Sequence, residues 1–309
     1  GTVGRGLAEI LGGKRDLLRE RYGYDSRIVA VTDQYHGSCC SPEGLDPGQL
    51  LQLVADGRPL DDYPGAGSGW DSLETIRSSG ADVVAEVTLT DIKTGEPARE
   101  YCRTAIESGC HVVTTNKGPV ALSWRALSER AASCGVQFRF EGTVMSGTPV
   151  LSTATEALAG CEFVRIRGIL NGTTNYILSE MEQGRPYAEA LATAQELGYA
   201  EADPTADVEG FDVLAKVVIL ANVVMRAELG VEGIPREGIT GLEAEVVAAA
   251  LLEYLDGKSN DEGTGNLSSN GIEGLMVDTH NWGKSVAFWR DLGYNLENSL
   301  VLRHPAGGP

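Results

Sequence analysis

The sequence predicts an α/β protein: a doubly wound parallel sheet followed by a second, α+β domain. Three observations lead there. Short apolar runs alternate with amphipathic helical patterns through the first half of the chain. A glycine-rich turn opens directly into a helix at the start. Beyond residue 150 the pattern changes to one alternating stretch and then three helical ones.

"GTVGRGLAEIL" runs from glycine straight into a helix whose apolar stripe is Leu7, Ile10 and Leu11. Gly1 and Gly4 can stand for the second and third glycines of a GxGxxG turn, while the first glycine and its strand are absent. That predicts a Rossmann-like unit with its first strand missing and a chain truncated at its beginning; the alternative is an ordinary turn leading into a helix. "SRIVAVTD" (26–33) reads as a buried strand ending in an acid. Asp33 is thereby a candidate partner for an adenosine ribose hydroxyl, although it lies further from the glycines than usual. The stretch 35–68, rich in Gly, Asp and Pro, predicts surface loop around one short helix, Pro47–Ala55. "ADVVAEVT" (81–88), "HVVTTN" (111–116) and "VQFRFEG" (136–142) read as three more strands, with "EPAREYCRTAIESG" and "SWRALSERAASCG" as helices between them. Ligands of such sheets bind beyond the strands' carboxyl ends, which points to Asp33, Thr88, Asn116 and Lys117.

In the second half, "EFVRIRGIL" (162–170) alternates like a half-buried strand. "NGTTNYILSEMEQG" is a turn into a helix, with Asn171 or Thr173 as its cap. "PYAEALATAQELG" is a helix closed by Gly198. "GFDVLAKVVILANVVM" is apolar nearly all round after Lys216 and is expected to be buried. "GKSNDEGTGNLSS" (257–269) reads as a linker. The expected organisation is a dinucleotide-binding domain over 1–150, an incomplete substrate and dimerisation domain over 151–256, the linker, and a short β-α-β tail over 270–309.

A net charge of −19 argues against nucleic acid or an anionic membrane as partner, because phosphates would be repelled. The six cysteines show no CxxC and no histidine at metal-ligand spacing, as expected of reduced thiols in a cytoplasmic protein. No apolar run is long enough to span a bilayer and no signal-peptide pattern opens the sequence.

The most chemically loaded stretch is "LGYAEADPTADVEGFDVLAK" (197–216). It carries Glu201, Asp203, Asp207, Glu209 and Asp212 and ends on a single amine, Lys216. Asp212 and Lys216 stand at i and i+4 and share one helix face. One reading is a solvated acidic loop running into a helix with a plain salt bridge. The other is a polar pocket in which the amine handles protons: partial desolvation would ease proton release and the carboxylates would oppose it.

Four motifs, "GTVGRGLAEIL", "TTNKGPVAL", "GILNGTTNYIL" and "LGYAEADPTADVEGFDVLAKVVILA", occur in the order and spacing of homoserine dehydrogenases, and the chain resembles that family from Gly1 to about Leu252. The resemblance implies NADP- or NAD-dependent interconversion of L-homoserine and L-aspartate 4-semialdehyde, on the route to threonine, isoleucine and methionine, by a homodimer. It implies Lys216 as general acid, Glu201, Asp207 and Asp212 as substrate ligands with Asp212 also ordering the reacting oxygen, and Lys117 between nicotinamide and substrate. Gly1, Thr2, Val3, Gly4, Thr88 and Lys117 match cofactor-lining positions. Glu141, Val144, Ser146 and Thr148 fall where the family holds a monovalent cation such as sodium, mostly through carbonyls.

The resemblance stops short of the family's closing segment. The tail "IEGLMVDTHNWGKSVAFWRDLGYNLE" instead resembles the first β-α-β of the glyoxalase/bleomycin-resistance (vicinal oxygen chelate) superfamily, without its metal ligand. A fused or chimeric chain, acting as a catalytically impaired nucleotide-binding remnant, is therefore the alternative expectation.

Overall fold

The computed structural model describes residues 1–247 except 164, 165, 167 and 233. The linker over 257–269 and the glyoxalase-like tail lie outside the described residues. The chain divides into two compact units, Gly1–Phe140 and a second that begins at Glu141.

The first unit holds α1 (Thr2–Gly13), α2 (Arg15–Tyr22), β1 (Ile28–Asp33), β2 (Gly37–Leu45), α3 (Pro47–Ala55), α4 (Ser72–Ser78), β3 (Val83–Glu86), α5 (Ala98–Glu107), β4 (His111–Thr114), α6 (Lys117–Cys134) and β5 (Phe138–Arg139). The four strands expected from the sequence are all present. β3, β4 and β5 form a parallel sheet in that order. α5 explains why: Ala98, Cys102, Ala105 and Ile106 recur at i, i+4, i+7 and i+8 and are buried. Together with Val112 and Val120 they make the core beneath the sheet. Burying Ile106 alone contributes about 2 kcal/mol. α6 closes on Gly135, whose left-handed φ of 71° lets its N–H reach Ala131 and Ala132. A kink at Ser123 (φ −148°) divides α6, so the helix expected from "SWRALSERAASCG" is its second part.

Two expectations for this unit are corrected. First, β1 does not join the parallel sheet. It pairs antiparallel with β2, which lies in the stretch expected to be loop. Local pairing across a three-residue turn carries little closure entropy, and Asp33 shapes that turn by accepting the N–H groups of Tyr35 (2.9 Å) and His36 (3.2 Å). Gly37 sits beyond it at φ 75°, where a Cβ would collide with the Asp61 carboxylate. Ile28 faces Leu45 while Ala30 faces Cys40, so residues between Cys40 and Leu45, Pro42 and Gly44 among them, bulge out. Cys39, Leu45, Leu50 and Leu60 make a second small core under the hairpin. Second, the parallel sheet is covered by α5 and α6 on one face, whereas Val83, Ala85 and Val113 on the other are exposed; among the described residues the double winding is not complete.

The second unit contains α7 (Gly142–Met145), α8 (Val150–Ser152) with a π turn after it (Thr153–Ala157), α9 (Gly172–Glu182), α10 (Tyr187–Glu196), α11 (Thr205–Val208) and α12 (Phe211–Val223). The expected boundary near residue 150 moves to 140. Glu141 accepts the N–H groups of Leu151 and Ser152, both at 2.7 Å, and α7 packs against α12, so residues 141–150 belong to the second unit. No strand occurs among the described residues of this unit, and the described positions of 162–170 are irregular. Alternation in sequence specifies a strand only where a neighbour accepts its backbone hydrogen bonds. α9 and α10 pack through Ile177, Met181, Ala190 and Ala194, all fully buried. α12 buries Val218, Ile219, Leu220 and Val223, as its apolar circumference requires.

Among the described residues, no helix is long and apolar enough to cross a membrane. All six cysteines are free. Burial pushes the Cys39 thiol up to about 11, with Cys40 and Asp61 adding to it.

Candidate active site

The sequence around Leu170 builds a polar set at the start of two helices. Asn171 is extended (φ −137°) and caps α9, its Oδ1 accepting the N–H of Thr174 at 2.8 Å. That leaves the amide nitrogen to point away from the helix. Nδ2 donates to Asp207 at 2.7 Å and to Asp212 at 3.0 Å. Asp212, in the first turn of α12, pairs with Lys216 at 2.7 Å. The Lys216 ammonium also donates to the Leu170 carbonyl at 2.5 Å. One buried amide therefore gathers two carboxylates, and one amine closes the set back onto the chain beside that amide. Both side chains of the ion pair are 14% exposed, so the pair is shielded but reachable. Screening is weaker there than at a fully exposed pair.

Asn171 was legible in the sequence as a cap, but not as the residue that joins the acids. That second role depends on contacts with positions 207 and 212, far along the chain. Glu201 stands outside this hydrogen-bonded set, on an exposed loop whose backbone carbonyl accepts from Gln195. The loop is tethered to the same helix start, because Thr173 Oγ1 donates to the Tyr199 carbonyl at 2.7 Å. Asp203, further along the loop, is held below the usual carboxylate range by the Thr205 hydroxyl and N–H.

A second set of groups lies at the carboxyl ends of the first unit's strands. The Gly1 nitrogen is 3.4 Å from Asp33 Oδ2. Burial raises the Asp33 carboxyl, and the N–H groups of Tyr35 and His36 pull it down. Gly4 brings the first turn of α1 close to Val87, whose Cγ2 a Cβ at that position would meet at 3.6 Å. Thr2 and Val3 are exposed there. After β4, Asn116 caps α6 by accepting the Gly118 N–H at 3.0 Å, and Lys117 is the first residue of that helix, half-buried. A Cβ on Gly118 would fall 2.6 Å from the Asp91 carbonyl, so glycine is needed for the two loops to meet. The Thr88 hydroxyl is turned towards Glu86, at 2.5 Å.

Of the residues matched to a cation site, Glu141 has its carboxylate committed to Leu151 and Ser152. Val144 lies in the short α7 and is buried. Ser146 adopts a left-handed φ of 51°, and Thr148 donates its N–H to Met145.

The family profile described as homoserine dehydrogenase matches residues 149–256, the span that contains Asn171, Asp207, Asp212 and Lys216. The NAD(+)-dependent homoserine dehydrogenase of Pseudomonas canavaninivorans is 42% identical over 284 residues, covering 91% of this chain and 81% of the relative. This chain belongs to the homoserine dehydrogenase family. Its fold agrees: a crystal structure of a putative homoserine dehydrogenase from Archaeoglobus fulgidus aligns with a TM-score of 0.70 at 35% identity, covering 82% of this chain and 74% of the other. A hyperthermophilic archaeal homoserine dehydrogenase mutant in complex with NADPH aligns with a TM-score of 0.65 at 26% identity, over 79% of this chain and 72% of the other.

Proposed function

We propose that this chain interconverts L-homoserine and L-aspartate 4-semialdehyde with NADP or NAD, and that Lys216 is its proton donor and acceptor. The observation that carries the reading is the set Asp207–Asn171–Asp212–Lys216 inside the family-matched span. Two of the ammonium's three N–H donors are used by Asp212 and Leu170, and the third suits a substrate oxygen. A nicotinamide, when bound, supplies hydride chemistry. As the aldehyde carbon gains a hydride, its oxygen becomes alkoxide-like; an ammonium placed against it stabilises that charge and delivers the proton. Asp207, Asp212 and Glu201 offer anionic partners for the ammonium of an amino-acid substrate.

The residues of the first unit suit a dinucleotide. A helix start with small residues, the acid that ends β1, and the loops after β3 and β4 lie at the strands' carboxyl ends, the usual place for one. Gly1, Thr2, Val3, Gly4, Thr88 and Lys117 are assigned to it, with Lys117 nearest the nicotinamide. Two relatives, one NAD(+)-dependent and one in complex with NADPH, support a nicotinamide cofactor. A monovalent cation, if held near Val144, Ser146 and Thr148, would use carbonyl oxygens, since the Glu141 carboxylate is already occupied. A homodimer belongs to the same reading, and Ile169, Leu197, Leu229 and Val246 are exposed apolar side chains of the second unit available to it.

The test is steady-state reduction of NAD and NADP by L-homoserine, monitored by absorbance on folded protein. Saturable turnover is expected with homoserine and none with L-serine, which is one methylene shorter. Cofactor binding without turnover would instead identify a nucleotide-binding remnant.

A further inference from the structure

We propose that Glu86 is a positioning residue for the reaction, holding the loop after β3 and the start of α6 in the arrangement that receives the nicotinamide cofactor. The inference rests on the reading that the cofactor lies at the carboxyl ends of β3 and β4.

Glu86 ends β3 and is only 3% exposed, yet it is a carboxylate in an otherwise apolar strand. Its oxygens accept three hydrogen bonds: Oε1 from the Thr88 N–H (2.8 Å) and the Thr88 hydroxyl (2.5 Å), and Oε2 from the Thr114 hydroxyl (2.9 Å). Thr114 is itself 1% exposed and accepts the Asn116 N–H at 2.9 Å. Asn116 donates back to the carbonyls of Thr88 (3.3 Å) and Leu89 (3.2 Å), and its Oδ1 accepts from Gly118. The result is a closed ring, Glu86–Thr114–Asn116–Thr88, joining two parallel strands just beyond their last paired residues, Glu86 and Thr114.

Stability alone gives little reason for this acid. Burying a carboxylate costs several kcal/mol, and an apolar residue of similar size in the same strand is often as stable or more so. What the acid adds is placement. It commits both polar hydrogens of Thr88, so the shape of the loop is held from below. Through Thr114 and Asn116 it sets the first turn of α6, where Lys117 begins. Removing one acceptor strands a buried donor, and the loops are the softest part able to relax around it.

The experiment compares wild type, Glu86→Gln, Thr114→Val and Thr114→Ser for Tm, for KM of cofactor and of homoserine, and for kcat. Wild-type binding of NADPH, read by fluorescence, separately tests the cofactor reading itself, and its absence would overturn that reading together with the role given to Glu86. With wild type binding, Glu86→Gln and Thr114→Val are expected to raise the cofactor KM about tenfold, with the homoserine KM within twofold. Thr114→Ser, which keeps the hydroxyl, is expected to restore the cofactor KM. Should Glu86→Gln fail to fold, the nearly isosteric Thr114→Val decides. An unchanged cofactor KM in the folded variants, or equal rises in both KM values, overturns the proposal.

Discussion

Lys216→Ala is expected to lower kcat by about a hundredfold to ten-thousandfold, the range for removing a positioned general acid. Cofactor binding should be nearly unchanged, because the groups assigned to the nucleotide are not part of the hydrogen-bonded set that Lys216 closes. The substitution also takes from the shielded Asp212 carboxylate its Lys216 partner while the Asn171 amide stays, a loss of about 1–3 kcal/mol. Activity is therefore compared well below the unfolding temperature. Lys216→Arg separates the two effects. Its guanidinium keeps the charge and can pair with Asp212, but it holds its proton far too tightly to act as a general acid. Arginine should recover most of the stability and little of the rate. Alanine retaining more than about a tenth of wild-type turnover is inconsistent with proton transfer by this residue.

The second large effect is expected at Asn171, which binds three partners with one side chain. Asn171→Ala removes the cap of α9, worth about 1 kcal/mol. It also removes the shared donor between Asp207 and Asp212, and hydrogen bonds to charged groups are worth about 1.5–3 kcal/mol. The combined loss should be about 2–4 kcal/mol, because the terms are not additive. Asn171→Ser restores a capping oxygen but no amide. Denaturant unfolding should show serine recovering about 1 kcal/mol, while kcat/KM stays as low as for alanine. If serine restored both, Asn171 would be a cap alone and the joining of the two acids would have no functional weight.

What the sequence made legible were the features written locally. The four strands, the helices containing Ile106, Ile177 and Ile219, and the stop at Gly198 come from periodicity and turn residues within a few positions. The Asp212–Lys216 pair likewise needs only helical spacing. Features that depend on distant partners were not legible. "GSCCSPEGL" carries a proline among glycines and serines unfavourable to a strand, and it becomes β2 only because β1 offers a neighbour and a bulge absorbs Pro42. "EFVRIRGIL" shows the reverse, a pattern of alternation whose described residues join no sheet among the described residues. Asn171 announced its cap and concealed its bridge. Glu86 left one signal, a lone acid inside an apolar strand, which marks either an error in the strand assignment or a carboxylate with work at the strand's end.

In this reading an ammonium on a largely buried helix serves hydride transfer at the hydroxyl-bearing carbon of homoserine. L-homoserine deuterated at that carbon, oxidised by the folded chain with NADP or NAD, puts the transfer itself under observation when the reduced cofactor is weighed by mass spectrometry. One deuterium should be carried into the nicotinamide ring, at a slower rate than with unlabelled substrate. Deuterium appearing in water, or no transfer by protein that binds the cofactor, would contradict it.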